Sequence, residues 1–214
     1  MTYFSHPFVS NSDLTRLAKE LAPTDQIEYS EALRFGTLLH ALILEPHKVD
    51  LIRLVVNDVQ YSRQEIDTAR KMKESFMNDS FCRQLLGQSE FEVEMYNEET
   101  AFEHNGIRFE LPTRRKYDGW IRLTNWGWDL KSTAATSQAS FESCVSRLDY
   151  DRARVFYAKG PGAIQDCIIG ISKHPPYRVF KVFLKHGDPL WLEGERKMNE
   201  LAFKYYMLKE NVVV

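Results

Sequence analysis

On either side of Thr124-Asn125 the side chains alternate with a period of two, and this stretch constrains the chain more than any other. Residues two apart in a strand point the same way, so Asp129 and Lys131 share one face while Trp128 and Leu130 take the other. Before the turn, Tyr117, Gly119, Ile121 and Leu123 alternate against Asp118, Trp120 and Arg122. A turn at Thr124-Asn125 pairs Leu123 with Trp126, which sets Ile121 opposite Trp128, Gly119 opposite Leu130 and Asp118 opposite Lys131, with Asp129 on the diagonal. Diagonal neighbours lie about 7 to 8 Å apart, within reach of one shared cation. The apolar positions then fall on the opposite face, against the core. A three-residue loop without a compensating bulge would slip the register by one and send Asp118 to the wrong side.

Two carboxylates beside an ammonium make a hard site, suited to Mg²⁺ or Mn²⁺ rather than zinc. The ammonium has two uses there: it orients or deprotonates a water, or it neutralises a phosphate. An acid followed two residues later by lysine is not informative alone, since it recurs at Glu195 and Lys197 in a helical pattern. The plain alternative is an Asp118 to Lys131 cross-strand ion pair on a solvated face. Context has to decide between them.

With 43% hydrophobic and 27% charged residues in 214, the chain fits one globular domain or one domain with an appended subdomain. The order of elements favours a single domain, 1–214, with a mainly helical part at 1–88, the sheet with its flanking helices at 89–187, and a C-terminal helix at 188–214. No apolar run reaches membrane-span length and no charged-then-apolar leader opens at Met1, so the expected location is the cytoplasm, with no membrane partner. Cys82, Cys144 and Cys167 are scattered without a CxxC pair, which argues against a zinc knuckle, an iron–sulfur cluster or a disulfide framework. The net charge of −2 neither announces nor excludes a nucleic-acid partner. Positive groups do cluster locally, at Arg114-Arg115-Lys116 and at Arg147, Arg152, Arg154 and Lys159, where solvated charge runs are the alternative reading.

Along the chain, Val9-Ser10-Asn11-Ser12-Asp13 precedes a periodic run at Leu14, Leu17, Ala18 and Leu21, which predicts a capped helix ending before Pro23 and followed by a mobile acidic link. A second helix runs from Ser30 to the stop at Glu45-Pro46, with Gly36 and His40 on one face. Glycine inside a helix costs about 1 kcal/mol against alanine, so the gap it leaves one turn before the imidazole invites a use. Ser62 and Glu65 form a capping box for a long helix, and a shorter helical piece follows through Phe81, Leu85 and Leu86. Alternation from Phe91 to Tyr96 and an Asn105-Gly106 turn predict strands leading into the organising hairpin. Helices are expected at 137–148 and 150–159, strands at 168–171 and 179–184 around Pro175-Pro176, and a last helix from Pro189.

This order resembles the PD-(D/E)XK nuclease superfamily in its RecB/RecE-like branch, and within it the exonuclease VIII type of phages and integrated elements. Nearly the whole chain carries the likeness: the Val9 to Leu14 opening, the histidine helix from Leu33 to Pro46, Tyr117-Asp118, the strand Asp129-Leu130-Lys131-Ser132-Thr133, the tyrosine helix from Tyr150 to Tyr157, and Pro175-Pro176-Tyr177. The resemblance implies an α/β, restriction-endonuclease-like core: a mixed central β-sheet flanked by α-helices, preceded by a helical N-terminal segment. It implies His40, Asp118 and Asp129 as metal ligands with the Leu130 carbonyl as a further ligand, and Asp118, Asp129 and Lys131 as the catalytic set. One of the glutamates in Glu90 to Glu94 would line the site, which one being left open. Tyr157 belongs to the family's QxxxY element near DNA, but the glutamine four residues before it is Ala153 here. Arg152 or Arg154 could replace that contact, and with Arg115 they complete the expected DNA-binding set.

The implied activity is a Mg²⁺- or Mn²⁺-dependent deoxyribonuclease, a 5′-3′ exonuclease on duplex DNA that exposes single strand for recombination. A single-strand annealing protein and further copies of the chain are its implied partners besides DNA. Two other functions stay open: a DNA-binding or recombination-partner module that has lost its chemistry, and an endonuclease on the same fold.

Overall fold

The computed structural model describes residues 3–21 and 30–209. The link expected after the first helix and the closing Val212-Val213-Val214 lie outside the described residues.

Helix α1 (Asn11–Leu21) starts where Ser10 and Asp13 exchange hydrogen bonds, Asp13 Oδ2 accepting from the Ser10 amide at 2.9 Å and Ser10 Oγ from the Asp13 amide at 3.3 Å. Helix α2 (Ser30–Leu44) stops short of Pro46, as expected. Three two-residue strands, β1 (Val49–Asp50), β2 (Val55–Val56) and β3 (Val59–Gln60), form a small antiparallel sheet too short to register as alternation in the sequence. Helix α3 (Arg63–Asn78) carries the Ser62–Glu65 capping box, and Asp79 caps α4 (Ser80–Gln88) by accepting from the Cys82 amide.

The main sheet has the order β4-β5-β6-β7-β8. Strands β4 (Glu90–His104) and β5 (Ile107–Ile121) form a long hairpin through Asn105-Gly106, both at positive φ as a tight hairpin turn demands. Strand β6 (Trp126–Thr133) returns antiparallel to β5. Helices α5 (Gln138–Arg147) and α6 (Tyr150–Lys159) then cross over to β7 (Gln165–Ser172), which lies parallel to β6. Strand β8 (Val179–Lys185) pairs antiparallel at the edge, and α7 (Pro189–Lys209) closes the fold. The architecture is the α/β sheet flanked by helices that was expected.

Two features of the organising hairpin differ from expectation. The connection is a 3-10 turn, Arg122–Thr124, followed by Asn125 in the left-handed region, and it pairs Ile121 with Trp126, Trp120 with Gly127 and Gly119 with Trp128. The expected partners of Ile121 and Gly119 were Trp128 and Leu130, so the register slips by two residues. An even slip preserves which face each side chain takes, and it moves Asp118 from opposite Lys131 to the level of Asp129.

The second difference is that neither face of the sheet's central strands, β6 and β7, is solvated. Trp128, Leu130, Cys167, Ile169 and Ile171 pack with α2, α3 and α4, while Trp120, Ile168, Phe180 and Leu184 pack with α5, α6 and α7. A sheet with a parallel crossover must bury both sides, so the apolar positions are divided between two cores rather than gathered on one. Gly170 lets Phe141 of α5 close onto β7, since a Cβ there would lie 2.4 Å from its ring.

Candidate active site

Pairing between β5 and β6 ends at Gly119 and Trp128, and beyond that point the strands part. The Leu130 peptide on β6 therefore turns an unpaired edge toward β5. Asp118 Oδ2 accepts the Leu130 amide at 2.8 Å, and His40 Nε2 of α2 lies 2.7 Å from the Leu130 carbonyl oxygen. A carbonyl can only accept, so Nε2 carries the proton in this arrangement. His40 Nε2 is also 3.6 Å from Asp118 Oδ2. The split in the sheet thus gathers the early helix, the first aspartate and the Leu130 backbone.

Glu92 completes the group. Its backbone sits in the left-handed region at φ 55°, opposite the break in the β5 ladder between Tyr117 and Gly119. Among the described residues, His40, Glu92 and Asp118 form the group whose ligand atoms all lie within 4.8 Å of one another. Glu92 also pairs with Lys116 at 2.5 Å. Of the acids between Glu90 and Glu94 it is the one at the site: Glu90 pairs with Arg122 at the turn, and Glu94 accepts the Tyr96 hydroxyl. Strand alternation puts all three on a common footing, so sequence alone could not choose the one that the kink turns inward.

Asp129 stands beside this group rather than in it. Lys131 Nζ is 2.6 Å from its Oδ2 and Arg154 Nη1 of α6 is 3.2 Å from its Oδ1. The lysine contact lacks the alignment of a hydrogen bond, so Oδ2 is buried without a formed one. Burial pushes the Asp129 carboxyl up, but Lys131, Arg154 and His40 outweigh it and the net shift is downward. Burial likewise opposes the charge on Lys131, and Asp129 and Asp118 more than restore it, holding the ammonium above its usual range. Its Nζ also lies over the Tyr150 ring at 5.4 Å.

The arginines expected to meet DNA are placed otherwise. Arg115 is fully buried, donating from Nη1 to Asn97 Oδ1 at 2.7 Å and from Nη2 to Thr113 Oγ1. Arg152 is buried, donates to Thr15 Oγ1 at 2.7 Å, and has Asp149 within 3.7 Å. Arg154 is buried between Asp166 and Asp129. None of the three offers a free guanidinium to a phosphate, and each side chain is instead a tie between elements. Tandem charges on a strand or helix read as a surface run only while the neighbours that cover them are unknown. Tyr157 is half-buried, edge-on to Tyr117 at 5.2 Å between ring centroids, with the Arg154 guanidinium 4.6 Å from its own ring centre. Burial leads in pushing its hydroxyl up to about 12.

Sequence reading also passed over Asp166, an acid at the start of an apolar strand. It is buried and takes two hydrogen bonds from Arg154, at 2.7 and 2.8 Å. A lone acid ahead of Cys167-Ile168-Ile169 was the available signal, because a buried carboxylate on such a strand requires a cationic partner.

Among the described residues no helix is long and apolar enough to cross a membrane. No protein-family model matches the chain, and no curated protein matches it in sequence at a significant level. Solved structures do match. One from Eubacterium rectale, described as a "Putative exonuclease", is 15% identical, with 100% of this chain and 78% of that one covered at a TM-score of 0.55. A phage related exonuclease from Haemophilus somnus is 12% identical, with 98% of each chain covered at a TM-score of 0.43. An alkaline exonuclease from Laribacter hongkongensis is 15% identical, with 99% and 87% covered at a TM-score of 0.34. At these identities the first comparison speaks to architecture alone: the chain has the α/β fold of the Eubacterium rectale structure, in agreement with the core that the PD-(D/E)XK resemblance implies.

Proposed function

We propose that this chain is a metal-dependent deoxyribonuclease, and within that class a 5′-3′ exonuclease on duplex DNA that exposes single strand for recombination. The observation that carries the first part is the convergence of His40, Glu92 and Asp118 beside the Asp129–Lys131 pair, from an early helix and three strands. Direction of digestion, the recombination role, a single-strand annealing partner and assembly into a homo-oligomer follow from family resemblance.

The donor set fits a hard divalent ion: two carboxylates and an imidazole whose ligand atoms lie within 4.8 Å of one another, with the Leu130 carbonyl oxygen 2.7 Å from that imidazole. Glu92, Asp118 and His40 would hold Mg²⁺ or Mn²⁺, the imidazole through a ring nitrogen free of its proton, which for Nε2 means giving up the bond to the Leu130 carbonyl. The ion would supply Lewis acidity and a water of lowered pKa. Asp129, kept ionised by its cationic neighbours, holds Oδ2 without a hydrogen bond and would serve as a further acceptor or ligand there. Lys131 is held in its charged form, which favours neutralising the phosphate over removing a proton. Tyr157 keeps its hydroxyl proton, chiefly through burial, with its ring between Tyr117 and the Arg154 guanidinium.

The test is cleavage of a linear duplex labelled at one end, with Mg²⁺ or Mn²⁺, alongside EDTA and an Asp118→Asn control. Cation-dependent shortening from the 5′ end, lost in Asp118→Asn, supports the metal-dependent 5′-3′ exonuclease. Binding of DNA without cleavage under any cation would replace it with a non-catalytic module, to which Ala153 in the family's glutamine position already points. Nicking of closed circular DNA would replace the exonuclease by an endonuclease.

A further inference from the structure

We infer that Arg154 and Asp166 form a positioning pair that fixes the orientation of Asp129, a role that rests on Asp129 serving the proposed nuclease chemistry. The geometry is a chain of alternating charges that runs from β7 through α6 to β6. Arg154 Nε and Nη2 bond the two oxygens of Asp166 at 2.7 and 2.8 Å, a fork-on-fork contact that sets the plane of the guanidinium. Nη1 is left to reach Asp129 Oδ1 at 3.2 Å, and Lys131 takes the Oδ2 side at 2.6 Å. One aspartate therefore aims the arginine, and the arginine aims the other aspartate.

The enclosure is specific to this purpose. Asp166 is 1% exposed and Arg154 2%, so neither side chain is available to DNA. The rings of Tyr117 and Tyr157 flank the guanidinium at 5.4 and 4.6 Å. Gly127 on β6 makes room for the arrangement, since a Cβ there would meet the Tyr117 ring at 2.3 Å and Asp166 Oδ2 at 3.3 Å. A buried arginine with a single aspartate would already be neutral, so structure alone does not require the third bond. The bond to Asp129 occupies Oδ1 and leaves Oδ2 as the oxygen turned to the lysine and the split.

The test uses the full chain. In Arg154→Met with Asp166→Asn, both charges leave together, so no unpaired ion remains buried and the net charge is unchanged. Outer-shell partners of a reactive carboxylate are worth about 10- to 100-fold in activity. The double variant is expected to keep a cooperative melting transition and the wild-type KM for duplex DNA while kcat falls about 10- to 100-fold. A crystal structure of the same variant should show the Asp129 carboxylate rotated from its wild-type plane, its Oδ1 no longer held toward α6 and Lys131 its remaining cationic partner. Wild-type kcat in the folded double variant, or Asp129 in an unchanged orientation, would overturn the inference. Should wild type cleave nothing, the nuclease reading fails while the orientation of Asp129 in the variant still decides this one. If the double variant does not fold, Arg154→Lys carries the test: it keeps a positive charge beside Asp166 but cannot span both aspartates, so kcat should fall with KM retained.

Discussion

Gly160→Ala is a perturbation on which two physical effects make opposite forecasts. Gly160 closes α6 with φ −64° and ψ −52°, a right-handed conformation open to any residue. Helix propensity alone therefore credits alanine with a gain of at most about 1 kcal/mol. Its Cβ, however, would sit 0.9 Å from Arg115 Nη1 and 1.9 Å from Cζ. A surface arginine would swing aside at little cost, but this one is fully buried and bonded to Asn97 and Thr113. Hydrogen bonds from a charged donor contribute about 1.5–3 kcal/mol each. Loss of both costs about 3–6 kcal/mol, which leaves a net destabilisation of about 2–5 kcal/mol after the propensity gain. For a chain of this size 1 kcal/mol moves Tm by about 2–4 °C, so calorimetry should record a fall of at least about 4 °C. Gly36→Ala is the internal control: it lies inside α2 and its Cβ would meet nothing within 4 Å, so stability should rise by up to about 1 kcal/mol. A Gly160→Ala protein that melts at or above the wild-type temperature would refute the packing argument.

Other outcomes follow from the same contacts. Glu92→Gln should weaken Mn²⁺ binding, read by titration calorimetry, by more than about tenfold, whereas Glu90→Gln and Glu94→Gln leave it unchanged; equal effects from all three would remove Glu92 from the site. Asp79→Ala should cost about 1–2 kcal/mol at neutral pH through loss of the α4 cap and the 2.5 Å pair with Lys181. Burial raises the Asp79 pKa but Lys181 and the Cys82 amide lower it further, so the net shift is downward. Its stabilisation is present above the unfolded value near 3.8 and fades as pH falls through the lower folded value, so the two melting curves should converge only in acid. Asp118→Asn should cut cleavage by more than about 100-fold and leave Tm within a few degrees, measured by gel assay and calorimetry, because the amide still accepts from the Leu130 N–H.

How far the sequence carried the reading is clearest at the hairpin. Period-two alternation placed Asp129 with Lys131, and the Gly36–His40 spacing placed the imidazole on a helix face, because both patterns depend only on residues a few positions apart. The cap at Ser62 and the Asn105-Gly106 turn were legible for the same reason. The two-residue slip between β5 and β6 was not, since a 3-10 turn ending in a left-handed Asn125 is one of several connections that Arg122-Leu123-Thr124-Asn125 could adopt. Nor was Glu92, which a local kink selects from three equivalent acids.

What the chain's own order of residues determined, then, was an α/β fold and the chemical types brought to its centre: an imidazole, carboxylates and an ammonium on predictable elements. Tertiary structure alone decided which of them meet and which are hidden. The parallel crossover through α5 and α6 covers the second face of the sheet and turns Arg115 and Arg154 from a basic surface into buried ties, while α1 does the same for Arg152 from the other side of α6. The physical reason is that burial is a property of what packs on a residue from elsewhere in the chain, which local periodicity does not encode.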